Sequence, residues 1–276
     1  MTTVKTVGLL GLGRMGKPMA RHLLACGFEV AGFDPVKDAR DRARALGVRI
    51  VDSPDKVAQA SQLVLIVVGF EQEVEHALFA SDGVVTGAAP GLIVAISSTV
   101  APRYATRVAA RLAEKSITMI DAPLARGETA AEAGKLLIYG AGDERAFEAC
   151  RPALCAFASD IFHLGPAGAG QVGKMVNNLI LWACMAANDE GLRLAQALGV
   201  DAQRLREALL HGSAQNWALG NRAGERGMPW AEKDMNSVLH EADRVRLSLP
   251  LCGSVKEAIK GLKIRLGYPM PMNGND

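Results

Sequence analysis

The sequence predicts an N-terminal α/β domain built on a doubly wound, mainly parallel sheet, followed by an all-α C-terminal domain. Three observations lead to this prediction. Apolar runs of strand length alternate with helical patterns through residues 1–160, which is typical of a parallel sheet with helices on both faces. A glycine-rich segment, residues 165–170, interrupts the alternation. From residue 171 onward the apolar spacing indicates helices and no convincing strand.

Each predicted element rests on its own apolar pattern. The predicted strands are the apolar runs 4–10, 29–33, 63–68, 92–96, 117–120 and 136–139. Helical spacing predicts helices near 14–26, 36–46, 71–80 and 101–114, then 168–197, 201–210, 230–246 and 251–265. We therefore predict a sheet domain of residues 1–165 and a helical domain of residues 166–276, with the glycine-rich segment as the hinge.

Composition excludes several classes of protein. A net charge of +2 offers no electrostatic basis for binding nucleic acid or a membrane surface. No apolar run reaches the roughly 18 residues of a membrane-spanning helix, and the N-terminus lacks the pattern of a signal peptide. The five cysteines form no Cys-x-x-Cys pair, and the histidines show no metal-ligand spacing. We expect a cytoplasmic protein without a bound metal.

A glycine-rich turn follows the first predicted strand and opens a helix. Such a turn lets the backbone approach a pyrophosphate closely and directs a helix N-terminus at its negative charge. The pattern by itself is weak evidence, because glycine turns also serve plain packing. The turn consists of Gly11, Leu12, Gly13, Arg14, Met15 and Gly16.

Asp34 makes the glycine turn more specific evidence for a dinucleotide site. It ends the second predicted strand, at about the 20-residue spacing from which a carboxylate accepts hydrogen bonds from an adenosine ribose. Together the turn and Asp34 predict a dinucleotide site. The carboxylate favours NAD because it would repel a 2′-phosphate, while Arg40 and Arg42 leave NADP possible.

The long predicted helix carries a polar pair, Lys174 and Asn178. Residues four apart share a helix face, so the ammonium and the amide can point at one bound molecule. Apolar neighbours such as Met175 and Leu179 would remove solvent from the lysine and make it a better proton donor or acceptor near neutral pH. From the residues alone, an ordinary surface lysine remains an equally open interpretation.

Two other predicted strands end in polar residues, at the edge where open α/β sheets bind ligands. Thr99 lies after the strand 92–96 and is a candidate contact for nicotinamide or substrate. Alternatively, Ser98 or Thr99 caps the helix that begins near Ala101. Arg126 follows the strand 117–120, and its guanidinium is well shaped to hold an anionic group, although an exposed loop arginine is the simpler interpretation.

Taken in order, these segments resemble the β-hydroxyacid dehydrogenase family, which includes 3-hydroxyisobutyrate, tartronate semialdehyde and L-threonate enzymes. The resemblance covers essentially the whole chain. It rests on residues 11–20, Ser98-Thr99-Val100-Ala101-Pro102, Asp121-Ala122-Pro123, Gly168-Ala169-Gly170 with Lys174, Asn177 and Asn178, Lys233-Asp234-Met235, and Leu249-Pro250-Leu251.

The resemblance implies a Rossmann-type first domain and a helical second domain that builds a homodimer or homotetramer. It implies that Lys174 is the acid/base residue, that Asn178 orients the hydroxyl or the lysine, and that Thr99 binds nicotinamide or substrate. Further implied cofactor contacts are Val68, Gly69 and Lys233. Further implied substrate contacts are Asn177, Ala125, Arg126 and Gly127.

The chain departs from the family at one turn. Relatives usually follow Asp-Ala-Pro-Val with Ser-Gly-Gly, which holds the substrate carboxylate; here Ala125, Arg126 and Gly127 stand in those places. The serine is lost and a cation is gained, as in the sulfolactaldehyde reductase branch. We therefore expect Arg126 to bind the anionic end of the substrate. A second departure, the short segment between Asn221 and Lys233, puts loop contacts there in doubt.

These observations predict an NAD-dependent oxidoreductase that acts on a small anionic 3-hydroxy acid or its semialdehyde. Three alternatives stay open: an imine reductase, a semialdehyde reductase acting on a sulfonate or a longer 4-hydroxy acid, and a non-enzymatic NAD-binding module. Imine reductases usually lack the lysine at position 174, and binding modules lose it and add basic segments. This chain keeps Lys174, and we expect it to lack such segments.

Overall fold

A computed structural model describes residues 4–222 and 228–269 of the chain. The chain divides into two compact units, Met1–Lys174 and Met175–Asp276. The dividing point lies within a long helix, after the glycine-rich segment 165–170. Part of the short segment between Asn221 and Lys233 falls outside the described residues.

The first unit contains a nine-stranded sheet. Its strands are β1 (Thr6–Leu10), β2 (Glu29–Phe33), β3 (Arg49–Ile50), β4 (Leu63–Ile66), β5 (Ile93–Ile96), β6 (Thr118–Asp121), β7 (Leu124–Ala125), β8 (Leu136–Gly142) and β9 (Ala158–His163). The order is β3-β2-β1-β4-β5-β6-β8-β7, with β9 beside β8. The six strands from β3 to β6 are parallel, whereas β8 runs antiparallel to β6 and β7. This is the strand order of a Rossmann domain with an antiparallel extension.

Helices cover the sheet, which explains its apolar strands. They are α1 (Gly16–Ala25), α2 (Lys37–Arg44), α3 (Pro54–Gln59), α4 (Glu71–Phe79), α5 (Val84–Gly87), α6 (Pro102–Ala113), α7 (Gly127–Glu132) and α8 (Glu144–Cys155), and α9 (Ala169–Ala197) begins in this unit. Every residue of β4 and β5 is buried, as expected for strands covered on both faces. Two separate apolar cores form, one on each face.

The second unit is helical throughout its described residues. It contains the rest of α9, then α10 (Ala202–Leu209), α11 (Trp217–Asn221), α12 (Ala231–Arg244) and α13 (Pro250–Arg265). Its core packs Trp182 of α9 with Met235 of α12 and Ile259 of α13. The same core holds a fully buried lysine, Lys263, whose Nζ lies 2.9 Å from a carboxylate oxygen of Glu232.

The predicted fold class is confirmed: a mainly parallel sheet with helices precedes an all-helical region. Among the described residues, no helix combines the length and apolar character needed to cross a membrane. The elements that the sequence did not predict are short or irregular. In α8, for example, Pro152 interrupts the helical pattern, and β9 mixes Ser159 and Asp160 with apolar residues. Tertiary pairing with β8 makes β9 a strand despite this composition.

Candidate functional site

The glycine turn joins β1 to α1, and its three glycines differ in how closely other atoms surround them. Gly11 has φ of +96°, and a Cβ there would lie 2.3 Å from the carbonyl oxygen of Val67. A Cβ on Gly16 would lie 1.9 Å from the carbonyl oxygen of Gly11. Around Gly13, by contrast, no atom of the described residues lies within 4 Å of the Cβ position. The turn is therefore tightly packed on its inner side and open at Gly13, which fits the close approach of a pyrophosphate.

Asp34 lies directly after β2 and is tied to the glycine turn. Its Oδ2 accepts a hydrogen bond from the amide of Leu12 at 2.7 Å, and its Oδ1 accepts one from the amide of Val36 at 2.8 Å. The carboxylate is only 8% exposed. Each oxygen has a second lone pair, so this fixed carboxylate fits the two hydroxyls of a ribose.

Arg40, the possible partner of a 2′-phosphate, is held by the backbone. Its Nη1 donates to the carbonyl oxygens of Asp34 at 2.6 Å and Pro35 at 2.9 Å. One amino group of the guanidinium is thereby committed to shaping the loop between β2 and α2. Arg14 of the glycine turn also has a partner, since its Nη1 lies 3.1 Å from an oxygen of Glu128 in α7.

Ser98, after β5, supports the loop that follows β4. Its hydroxyl accepts a hydrogen bond from the amide of Val68 at 2.8 Å and donates to the carbonyl of Ile66 at 3.2 Å. Helix α6 begins at Pro102, and its N-cap residue is Ala101. The N-cap position predicted for Ser98 or Thr99 is therefore occupied by Ala101. Ser98 instead fixes the backbone of Val68, and Glu73 accepts from the amide of Gly69 at 2.9 Å, so both residues of the predicted cofactor segment are held.

The first turn of α9, which precedes Lys174, is fixed from two sides within the first unit. Asp121, at the end of β6, accepts hydrogen bonds through Oδ2 from the amides of Gly168 at 2.6 Å and Gly170 at 3.1 Å. The fully buried amide of Gln171 accepts from the amide of Val100 at 3.1 Å and donates to the carbonyl of Ser98 at 3.0 Å. These contacts join the start of α9 to the segment that contains Thr99.

Gly170 allows this close packing. A Cβ at this position would lie 2.3 Å from the carbonyl oxygen of Tyr139, so only glycine lets α9 begin so near the sheet. Lys174 follows on the same helix and is partly buried. Sequence reasoning missed Gln171, because a glutamine in the first turn of a helix has no distinctive pattern.

Asp121 is electrostatically unusual. Burial raises the pKa of its carboxyl group to about 6, although the hydrogen bonds from Gly168, Gly170 and Gln171 favour the ionised form. The residue is fully buried, and its Oδ1 has no hydrogen-bond partner among the described residues. A proton on Oδ1 would remove the cost of burying this charge.

Arg126 lies between β7 and α7 in the left-handed conformation, with φ of +81°. Its Nη1 donates to Oδ2 of Asp160 at 2.6 Å, the hydroxyl of Ser159 at 3.0 Å and the carbonyl of Lys135 at 3.2 Å. Within the described part of the chain, no hydrogen bond uses its Nε or Nη2. Ala125 before it is buried at the end of β7, and Gly127 after it begins α7.

In the second unit, the predicted Asn178 belongs to a buried polar cluster. Its Nδ2 donates to Oδ2 of Asp234 at 2.9 Å, and Nε1 of Trp182 donates to the same oxygen at 2.9 Å. Asn177 donates through Nδ2 to Oδ1 of Asn178 at 3.0 Å. Lys233 precedes Asp234 in α12, with its Nζ 5.4 Å from the centre of the Trp230 ring.

The predicted cofactor residues of the first unit lie at one edge of the sheet. The glycine turn, Asp34, Val68 with Gly69, and Thr99 follow β1, β2, β4 and β5 respectively. Because these strands are parallel, their carboxyl ends share that edge, where doubly wound sheets bind ligands. Asn177, Asn178 and Lys233 lie in the second unit.

Two family models match the chain over most of its length. Residues 6–165 match the NAD-binding domain of 6-phosphogluconate dehydrogenase, and residues 168–269 match the NAD-binding domain of NADP-dependent 3-hydroxyisobutyrate dehydrogenase. A Pseudomonas aeruginosa 3-hydroxyisobutyrate dehydrogenase is 33% identical, over 89% of this chain and 88% of its own. The chain belongs to the β-hydroxyacid dehydrogenase family. It is therefore an NAD(P)-dependent oxidoreductase.

Other members of the family are similarly close. The NAD-dependent L-serine dehydrogenase of Pseudomonas aeruginosa is 38% identical over 78% of this chain and 72% of its own. The solved structure of the Mycobacterium tuberculosis 3-hydroxyisobutyrate dehydrogenase with L-serine superposes with a TM-score of 0.84 at 27% identity, covering 96% of this chain and 94% of that one. A Streptomyces aurantiacus imine reductase has a TM-score of 0.67 at 19% identity, covering 96% of this chain and all of that one, which shows a shared fold alone.

Proposed function

We propose that the protein is an NAD-dependent dehydrogenase of a small anionic 3-hydroxy acid, or a reductase of the corresponding semialdehyde. The anchored start of α9 is the observation that carries this proposal. Asp121 and Gln171 hold the first turn of the helix against the ends of β6 and β5. Lys174 stands about one helical turn beyond Gln171, so its position in the first unit is set by the sheet that binds the dinucleotide.

In this proposal Lys174 is the acid/base residue. Bound nicotinamide accepts a hydride when the alcohol is oxidised and supplies one when the carbonyl is reduced. The Nζ atom of Lys174 takes the hydroxyl proton in oxidation and returns it in reduction. Asn178 donates from its amide to the reacting oxygen, and Thr99 orients nicotinamide or substrate. A positioned acid or base of this kind contributes about 10²- to 10⁴-fold to the rate.

We further propose that Arg126 binds the anionic end of the substrate, assisted by the neighbouring residues Ala125 and Gly127. A left-handed conformation costs a residue other than glycine about 1–2 kcal/mol, and such strain is most common at functional sites. The ion pair with Asp160 engages Nη1 and offsets this cost. The Nε and Nη2 edges, which have no partner among the described residues, are available for a carboxylate or a sulfonate.

NAD is the proposed cofactor rather than NADP. The Asp34 carboxylate is held rigidly by two amides, and its negative charge would repel a 2′-phosphate. Arg40 has one amino group bound to backbone carbonyls, so it offers a phosphate only the remainder of its guanidinium. A kcat/KM for NADP comparable to that for NAD would contradict this preference.

A homodimer or homotetramer through the helical unit is also proposed. Helix α9 exposes Val176, Ile180 and Leu194, by 44%, 57% and 62%, and Leu198 directly after the helix is 74% exposed. Exposed apolar side chains at helical spacing indicate a surface that packs against another chain. Sedimentation should show a dimer or larger species, and Leu198→Glu should shift it toward the monomer.

The decisive experiment is a spectrophotometric screen for NADH formation. The acids are 3-hydroxyisobutyrate, L-serine, glycerate, threonate, 4-hydroxybutyrate and dihydroxypropanesulfonate. The wild-type protein should oxidise at least one of them. Lys174→Ala should lower kcat about 100-fold or more, with unchanged NAD binding by calorimetry. Lys115→Ala, a change at an exposed lysine, is the matched control and should retain full activity.

Arg126 is tested in the same screen. Arg126→Ala should raise KM for the preferred acid at least tenfold, whereas Asp160→Asn, which keeps the arginine, should change it much less. An unchanged KM in Arg126→Ala would remove the residue from the site. Turnover by Lys174→Ala equal to wild type would reject the proposed acid/base role.

A further inference from the structure

The buried carboxylate of Asp234 accepts two hydrogen bonds from α9. The residue lies in the first turn of α12 and is 8% exposed. Two donors from α9, Nδ2 of Asn178 and Nε1 of Trp182, meet at a single oxygen, Oδ2, each at 2.9 Å. All three side chains belong to the second unit and are at least nine-tenths buried.

This arrangement determines which way the Asn178 amide faces. An ionised carboxylate only accepts hydrogen bonds, so the nitrogen of Asn178, and not its oxygen, must point toward Asp234. Asn177 completes the arrangement by donating to Oδ1 of Asn178 at 3.0 Å. The amide is held at both ends and cannot exchange its nitrogen and oxygen without losing both bonds.

The fixed orientation has a chemical consequence. A side-chain amide nitrogen carries two hydrogens, and Asp234 takes one of them. The second hydrogen remains to donate to an oxygen atom of a ligand. A donor that is already oriented stabilises charge developing on the reacting oxygen without reorganising during the reaction. A freely rotating amide would instead present its oxygen part of the time and repel that charge.

We propose that Asp234 is a positioning residue for the reaction, acting through Asn178. The proposal rests on the proposed function, in which Asn178 donates to the reacting oxygen. Asp234 touches neither substrate nor cofactor in this scheme. Its negative charge and its acceptor-only chemistry keep the Asn178 nitrogen in the productive orientation.

A competing interpretation is that Asp234 only joins α12 to α9. Trp182 separates the two interpretations, because its indole nitrogen joins α9 to the same carboxylate oxygen by a bond that does not involve Asn178. Trp182→Phe removes one donor, keeps an aromatic side chain in the core and leaves the bond between Asn178 and Asp234. A joining role predicts similar consequences for Trp182→Phe and Asp234→Ala.

The test is a double-mutant cycle on the full-length protein, with steady-state kinetics on the acid that the wild type oxidises. Asn178→Ala and Asp234→Ala should each lower kcat about tenfold or more, with KM for NAD within about threefold of wild type. If Asp234 acts through Asn178, the double variant should be no slower than Asn178→Ala alone. Trp182→Phe should lower the melting temperature and leave kcat within about threefold of wild type.

A second readout does not depend on turnover. In protein labelled with ¹⁵N-asparagine, the side-chain amide of Asn178, assigned by its loss in Asn178→Ala, should show one downfield proton bonded to the carboxylate. That proton should move upfield in Asp234→Ala and stay in place in Trp182→Phe. If Asp234→Ala does not fold, Asp234→Asn takes its place in the cycle. An amide at position 234 can turn its nitrogen toward Asn178, so it lacks the acceptor-only chemistry of the carboxylate.

The outcomes distinguish a failure of the positioning role from a failure of the proposed function. A wild-type protein that oxidises none of the acids rejects the proposed function. A working enzyme in which the losses from Asn178→Ala and Asp234→Ala multiply in the double variant rejects the positioning role and leaves the function standing. A change confined to the KM for NAD would assign Asp234 to the neighbouring Lys233 instead, and would likewise overturn the inference.

Discussion

The buried carboxyl group of Asp121 should make the stability of the first unit depend on pH. The pKa of this group is about 6, raised from 3.8 chiefly by burial. Between these two values the folded chain holds a proton that the unfolded chain has already released. Raising the pH through this window therefore destabilises the folded state, and the loss is complete above pH 6.

The size of the effect follows from the pKa difference. Each pKa unit corresponds to about 1.4 kcal/mol, so the contribution of Asp121 is about 3 kcal/mol over the whole window, from well below the unfolded pKa to well above the folded one. Asp121→Asn cannot titrate, and its amide oxygen can still accept from Gly168 and Gly170. The difference in unfolding free energy between wild type and variant should therefore change by about this amount across the window.

The assay must report on the first unit. All three tryptophans, Trp182, Trp217 and Trp230, lie in the second unit, so tryptophan fluorescence would follow the wrong part of the chain. Denaturant unfolding should be monitored by circular dichroism, and the carboxyl carbon of Asp121 should be titrated by NMR in ¹³C-aspartate protein. Parallel stability curves for the two proteins, or a carboxyl carbon that titrates near pH 4, would refute the reasoning.

Two further predictions follow from the packing. Gly13→Ala should weaken NAD binding with little change in melting temperature, because its Cβ would meet no atom of the described residues within 4 Å. Gly16→Ala should reduce both the affinity for NAD and the melting temperature, because its Cβ would lie 1.9 Å from a carbonyl oxygen. A variant Gly16→Ala with wild-type melting temperature would contradict this distinction. Lys263→Met should lower the unfolding free energy of the second unit by about 3–5 kcal/mol, because it leaves Glu232 as an unpaired buried charge. Tryptophan fluorescence measures this loss, and adding Glu232→Leu should restore most of it; a loss unchanged in the double variant would count against the ion-pair explanation.

The sequence was most informative where the structure depends on residues that are adjacent in the chain. The alternation of apolar runs and helical spacing predicted the sheet domain and the helical region, and both are present. The glycine turn and Asp34 could be predicted as a dinucleotide site because backbone conformation and spacing at a strand end are local properties. Short elements such as β7 and β9 escaped prediction, since pairing with β8 rather than their own composition makes them strands.

The cluster around Arg126 shows the limit of motif reading. The departure from Ser-Gly-Gly was visible in the sequence, and it pointed to an anion-binding cation. The sequence did not indicate that Arg126 adopts a left-handed conformation or that its Nη1 is paired with Asp160 on β9. The ion pair comes from the pairing of β7 and β9 with β8, which places residues distant in sequence side by side.

The sequence by itself determined the class of fold and the family and named the candidate site residues, because each is encoded in patterns of adjacent residues. Only the tertiary structure decided how those residues are held. Gln171 donates to the carbonyl of Ser98, Asp121 accepts from the amides of Gly168 and Gly170, and Asp234 accepts from the amide of Asn178. These hydrogen bonds join residues between 47 and 73 positions apart. Folding creates such contacts only by burying the groups together, where each donor must find an acceptor.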